Sequence, residues 1–265
     1  MDLDVTTLRP ARTRADLHLG PGERLLAGGT WLFSEPQAGV SALVDLTTLG
    51  WAPLEHVGDG LRISATCTVE QLVAHTADPA WTAWPLVRAC ADALLMSFKV
   101  QAQATVGGNV VMALPAGAMT SLLSALDAVA LVWTPDGGER REAVADLVVG
   151  PGRTTLADGE VVRSFDVPGH ALRARTAVRQ MSLTPVGRSA SLVVARLDED
   201  GTVTLTVTAA TPRPVHHRFA ALPTSAQVTA ALTGLEWYDD LHGAPDWRRA
   251  VTLLLAREVV EELAP

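Results

Sequence analysis

Cysteine is nearly absent: the 265 residues include two, Cys67 and Cys90. A single pair cannot build a disulfide framework or supply the four thiolates of an iron–sulfur cluster. Both sit among apolar neighbours and are expected as buried, reduced thiols. Positive charge is in deficit, with a formal net charge of −8, which argues against a general nucleic-acid or anionic-membrane partner. No apolar run approaches membrane-spanning length, and the opening MDLDVTTLRPARTRADLHLG has no signal-peptide apolar core, so a cytoplasmic protein is expected. The dinucleotide fingerprint GxGxxG, the phosphate-loop pattern GxxxxGK[ST] and the nucleophile elbow GxSxG are all missing. There are no internal repeats. What is present, 48% hydrophobic and 19% charged residues, describes a folded globular chain with a sizeable core, arranged as one large domain or two smaller ones.

Two stretches carry adjacent glycines. Leu25–Thr30 reads LLAGGT, an apolar strand ending at Gly28-Gly29, and Thr105–Met119 reads TVGGNVVMALPAGAM. Adjacent glycines let a backbone turn tightly and approach a ligand without Cβ interference. Two strand-end turns of this kind, brought together, can aim several N–H groups at one anion such as a pyrophosphate. Each stretch by itself is equally an ordinary tight turn.

The remaining chain reads as follows. Leu3–Leu8 is a short strand, Arg9–Leu19 a short helix, Leu25–Ala27 and Ala42–Leu46 strands, and Thr47–Gly50 a turn. Val57–Thr68 holds a hairpin around Gly58-Asp59-Gly60. Thr68 with Gln71 forms a capping box that opens a helix. Pro85–Leu95 is apolar at helical spacing. Met119–Leu126 is helical, Val129–Trp133 a strand closed by Pro135-Asp136-Gly137-Gly138, and Glu160–Val167 a strand ending at Pro168-Gly169. Beyond that point Ala177–Leu183, Arg188–Leu197 and Thr202–Ala210 form a three-stranded antiparallel meander, the last strand half-buried by its Thr/Val alternation. Thr224–Thr233 and Asp246–Leu263 are helices, the latter with Asp246 as N-cap and an inward stripe of Val251, Leu254, Leu255, Val259 and Leu263. The class is α+β. Residues 1–168, in subdomains of about 1–52 and 53–168, form one domain, and 169–265 a second.

Several other groups read as structural. His216-His217 follows Pro214 without a third ligand at metal spacing and is expected in a solvated loop; no metal site is assigned. Tyr238-Asp239-Asp240 is a polar loop, Glu258, Glu261 and Glu262 the wet face of the last helix, and Trp81 and Trp84 packing aromatics.

The order of these segments resembles the medium, FAD-binding subunit of xanthine dehydrogenase- and carbon monoxide dehydrogenase-type molybdenum hydroxylases, a two-part FAD-binding fold akin to p-cresol methylhydroxylase-type flavoproteins. The resemblance rests on LLAGGTWL at Leu25–Leu32, Ala42–Leu72, Ala104–Ala128, Asp146–Pro168, and AATPRPV near Ala209 with the final WRRAVTLLLAR helix. It implies FAD as cofactor, with Ala27, Gly28, Gly29 and Thr30 of the first loop and Thr105, Gly107, Gly108 and Asn109 of the second holding its pyrophosphate. It also implies iron–sulfur and molybdopterin subunits as partners.

The sequence departs from the family where polar contacts are usual. Gln101 and Ala102 replace an Arg-Asn pair, Leu114 and Ala118 replace the aspartates of a DPAAD-type turn, and Trp31 replaces a polar residue after the first glycines. One aspartate–ribose hydrogen bond is worth roughly 1.5–3 kcal/mol. Three readings follow. The chain is an electron-transfer flavoprotein; or a stand-alone enzyme that reuses the cleft for non-redox cyclisation of a hydrophobic, polyketide-like substrate against Trp31, Met112 and Leu114; or a non-catalytic assembly subunit.

Overall fold

The computed structural model describes residues 4–265. The chain opens with β1 (Thr7–Pro10), β2 (Glu23–Leu26) and β3 (Ala42–Asp45). They form a small parallel sheet with β3 in the centre. Leu3, at the expected start of β1, lies outside the described residues. The helix expected over Arg9–Leu19 does not form. Arg9 and Pro10 remain in the strand, opposite Val44 and Asp45, and a single 3-10 turn follows at Arg14–Leu17. The reason is a long-range bond: the Arg9 guanidinium grips both carboxylate oxygens of Glu23 at 2.6 and 2.7 Å, which holds this stretch extended. Ala11, Leu17, Val44 and Leu46 make a small core that closes against Val161 and Trp133 of the next layer.

The hairpin forms from β4 (Leu54–Val57) and β5 (Gly60–Ser64) around Gly58-Asp59. Five helices follow: α1 (Val69–Ala74), α2 (Pro85–Ala93), α3 (Phe98–Gln101), α4 (Val106–Val111) and α5 (Ala118–Ala125). The capping box is present as read: the Thr68 hydroxyl accepts the Gln71 N–H, and the Gln71 side chain accepts the Thr68 N–H. Next come β6 (Val129–Trp133), β7 (Glu139–Ala143), α6 (Val144–Leu147), the short pair β8 (Val148–Gly150) and β9 (Arg153–Thr154), and β10 (Val161–Val167). The second sheet is antiparallel in the order β4-β5-β10-β6-β7. Strand β7, ERREA, was not anticipated. It is an edge strand whose charged residues form ion pairs, so it carries no apolar alternation to detect.

After α7 (Gly169–Arg173) the chain builds β11 (Arg175–Met181), β12 (Ser191–Leu197), β13 (Val203–Thr208) and β14 (Val215–Phe219), then α8 (Ser225–Ala231) and α9 (Pro245–Glu262). The expected three-stranded meander has four strands in the order β11-β12-β13-β14. Its fourth strand contains His216 and His217, which therefore pair with Thr206 and Leu205 instead of lying in a solvated loop. Strand β13 is buried along its whole length, not half-buried, because α5 covers one face and the other packs into the core that includes residues of α8 and α9. Helix α9 begins at Pro245 with Ala244 at the cap, so Asp246 sits inside the first turn. Of the expected inward stripe, Leu255, Val259 and Leu263 are buried and Val251 packs against the core, but Leu254 is 51% exposed; Arg248, Thr252, Ala256 and Val260 are buried as well. Buried Arg248 donates to the carbonyls of Gly243, Ala190 and Ala209 and pairs with Asp240, giving the Tyr238–Asp240 loop a fixed anchor.

Candidate functional site

The first glycine segment begins where β2 ends. No Cβ can stand on Gly28, since it would lie 1.8 Å from the carbonyl oxygen of Gln103 and 3.1 Å from the Cα of Ala104. Gly29 has φ +69, a left-handed turn, and its open side is filled by the Phe33 ring. Thr30 and Trp31 are exposed, and Ala27 is half-buried. Among the described residues, no backbone or side-chain acceptor takes the N–H of Gly28, Gly29 or Thr30.

The second segment is not the tight turn read from its sequence. Thr105 is a helix N-cap, its hydroxyl accepting the Gly108 N–H at 3.1 Å, and Gly107, Gly108 and Asn109 lie inside α4. The segment is stitched to the turn after β5: Val106 N–H donates to Cys67 O, Gly107 N–H to Ala65 O, and Val69 N–H to Ala104 O, each at 2.9 Å. A Cβ on Gly107 would meet the Ala65 backbone oxygen at 2.6 Å, so this glycine serves close packing. The Asn109 N–H donates to Thr105 O. Its side-chain oxygen accepts the Met119 N–H at 3.0 Å, which caps the first turn of α5 from a distance. Gly108 differs from the others: a Cβ there would meet only the Thr105 hydroxyl, at 2.9 Å.

The structure thus brings both segments together, through Gly28 against Gln103-Ala104 and the Thr105 cap that follows. It divides their work unevenly. The first segment presents unpaired N–H groups; the N–H groups of Gly107, Gly108 and Asn109 are already bonded within the protein. Met112 closes α4, and Leu114, 36% exposed, lines a narrow crevice with Thr120, Thr208, Arg213 and Pro214. Sequence reasoning missed Ala65 and Gln103 as the backbone neighbours of Gly107 and Gly28, and Cys67 as that of Val106, because a carbonyl's role leaves no trace in residue type. The thiols of Cys67 and Cys90 are pushed up to about 12 by burial, consistent with inert core residues. Upstream, Glu23 is held down at about 2, chiefly by its bond to Arg9 and then by the Gly20 N–H, which fixes the strand that delivers the first glycines.

This arrangement, a small parallel sheet and an antiparallel sheet meeting at two glycine segments with a C-terminal α+β unit, is shared by chains of molybdenum-containing oxidoreductases. A chain of quinoline 2-oxidoreductase from Pseudomonas putida 86 superposes with a TM-score of 0.82 at 20% identity, covering 99% of this chain and 98% of its own. A chain of the Cu,Mo-CO dehydrogenase gives 0.84 at 21%, covering 98% of each chain. One from the carbon monoxide dehydrogenase of Hydrogenophaga pseudoflava lacking the Mo-pyranopterin moiety gives 0.83 at 20%, again with 98% of each covered. No curated protein sequence matches the chain. The model of the family described as FAD binding domain in molybdopterin dehydrogenase matches residues 8–170, and the chain belongs to that family.

FAD is the cofactor that family membership implies, and the residues present fit it at the first segment. Unpaired N–H groups at Gly28, Gly29 and Thr30 suit a pyrophosphate without any cationic side chain. At Gly108 a Cβ would meet no neighbouring backbone but would crowd the Thr105 hydroxyl at 2.9 Å.

Proposed function

We propose that this chain is the FAD-carrying electron-transfer subunit of a molybdenum hydroxylase-type oxidoreductase. The observation that carries the reading is the convergence of the two glycine segments, with free N–H groups on Gly28, Gly29 and Thr30, in a chain of this family. Ala27 to Thr30 hold the pyrophosphate. Thr105, Gly107, Gly108 and Asn109 act mainly as the rigid wall that positions it, and Trp31, Met112 and Leu114 supply apolar flanks. When bound, FAD would supply one- and two-electron redox chemistry; the chain's part is to bind, orient and partly shield it. Iron–sulfur and molybdopterin subunits are the partners, since two buried thiols provide no cluster of this chain's own. The division into 1–52, 53–168 and 169–265 is supported by the sheets, each of which falls within one of these ranges. Nothing among the relatives supports the cyclisation reading.

The test is the absorbance spectrum of the purified chain, alone and after incubation with FAD, together with its co-purification with iron–sulfur and molybdenum-containing subunits. Oxidised-flavin absorbance that comigrates with the protein is expected. Protein that stays colourless with FAD in excess and binds no such subunit overturns the reading.

A further inference from the structure

Two tryptophans and two arginines meet where the N-terminal parallel sheet abuts the antiparallel sheet. Arg14 stands in the 3-10 turn after β1, and Trp51 lies on the connector from β3 to β4. Trp133 ends β6, and Arg163 lies in β10. Each arginine covers the other layer's tryptophan. Arg14 Cζ is 4.8 Å from the centre of the Trp133 ring, and Arg163 Cζ is 4.4 Å from that of Trp51. The two rings meet edge to face at 5.3 Å, with 90° between their planes. The exchange is reciprocal, so a turn or slide of one layer against the other breaks both stacks at once.

Local bonds hold the members in place. Arg14 also donates to the Thr134 carbonyl at 3.1 Å and to the Gly138 carbonyl, at the turn between β6 and β7. The Trp133 indole N–H donates to Glu139 at 2.9 Å, across the β6–β7 ladder. Arg163 is a bulge: the pairing of β10 with β6 steps from Val162 to Ser164 and leaves it out. A bulge re-aims the side chain of its extra residue.

The four side chains are tied to both glycine segments. Trp133 and Ala27, the latter in the first segment, pack against the small core of Ala11, Leu17, Val44 and Leu46. The Arg163 carbonyl accepts the Ala65 N–H at 3.0 Å, and the Ala65 carbonyl accepts the Gly107 N–H of the second segment at 2.9 Å. Apolar burial is non-directional, so a core of this size sets no angle between the layers. Guanidinium-over-indole and edge-to-face contacts depend on orientation.

Resting on the reading that FAD is held between the two glycine segments, we propose that Arg14, Trp51, Trp133 and Arg163 form a reciprocal clamp that fixes the spacing of those segments. They are positioning residues for the cofactor, acting through Ala27 and Ala65.

Pulsed electron–electron double resonance on the full chain tests the spacing without any cofactor. Spin labels at Arg24→Cys on β2 and Arg88→Cys on α2, both exposed positions, report on it. Cys67 and Cys90 are buried and stay unlabelled. Arg163→Met is expected to broaden or split the distance distribution, and Arg163→Lys, which keeps a cation over Trp51, to narrow it again. Titration with FAD is expected to show affinity about tenfold lower in Arg163→Met and largely recovered in Arg163→Lys. Arg14→Met removes the other stack and is expected to give the same pair of readings, including where Arg163→Met does not fold. A distribution as narrow as the parent's in the folded methionine variants overturns the clamp, and so does a broadened one with parental FAD affinity. A parent chain that takes up no FAD overturns the proposed function instead, and the distance distributions then decide the clamp by themselves.

Discussion

The Gly28 Cα and the Gln103 carbonyl are in backbone-to-backbone contact, so close that a methyl group on Gly28 would lie 1.8 Å from that oxygen. Two segments separated by more than seventy residues thereby share one wall. The contact explains why a glycine is needed at 28 for packing, before any ligand is considered. Gly28 and Gly107 abut backbone, whereas Gly108 abuts only a side-chain hydroxyl.

Gly28→Ala and Gly108→Ala should therefore behave oppositely. At Gly28 the obstacle is backbone, which cannot swing aside, and a loss of about 3 kcal/mol is expected in urea unfolding. At Gly108 the obstacle is one side-chain atom, the Thr105 hydroxyl at 2.9 Å, which must shift slightly, while removing glycine from a helix gains up to ~1 kcal/mol. Gly108→Ala is expected to fold normally and to lose about tenfold in FAD affinity, ~1.4 kcal/mol, in a fluorescence titration. Unchanged affinity would remove Gly108 from the cofactor wall.

Arg196 is fully buried and joins the end of α5 to β12 and its turn. It donates to Ala125 O at 2.7 Å, to Asp127 at 2.6 Å and to Asp198 at 2.9 Å. Arg196→Met removes the cation and leaves the two carboxylates without it. A destabilisation of about 3–5 kcal/mol is expected, because breaking a buried pair leaves uncompensated charge. Arg218→Met, at the exposed side of the same carboxylate, should cost under about 1 kcal/mol. Chemical denaturation of both variants checks the contrast.

Glu23 links protonation to the strand that carries the first glycines. Its folded pKa of about 2 lies below the ordinary 4.5, with the Arg9 bond as the leading cause. A depressed carboxylate contributes stability that is fully present above the unfolded value and is lost as pH falls through the folded one. The acid limb of the stability profile between about 4.5 and 2 should therefore flatten in Glu23→Gln relative to the parent. Equal slopes in pH-dependent unfolding would show that the pair contributes nothing.

Cys67 and Cys90 are both buried, with thiols raised to about 12. Neither should react with a thiol-specific disulfide reagent in the native protein at neutral pH, and both should react once it is unfolded. Rapid native labelling at either position would mean that the helical layer around α1 and α2 opens readily.

How far the sequence reached depends on how far apart the interacting atoms are along the chain. The capping box at Thr68–Gln71, the β4–β5 hairpin at Gly58-Asp59 and strand β6 were legible because donor and acceptor, or the alternation itself, lie within a few residues. The two glycine pairs could be marked as a shared site through family resemblance, but not their division of labour. Whether an N–H is free or already bonded is settled by carbonyls such as Ala65 O and Cys67 O, and any residue type can supply a carbonyl. Strand β14 was hidden because VHHRF has no apolar alternation; its place comes from pairing with β13. The two-sided burial of β13 likewise came from α5 on one face and the C-terminal core on the other. Residue types and short spacings set the local elements and marked where a nucleotide could lie. Only the packing of distant segments decided which backbone groups remained free to hold it, because those groups are identical at every residue and differ solely in what stands opposite them.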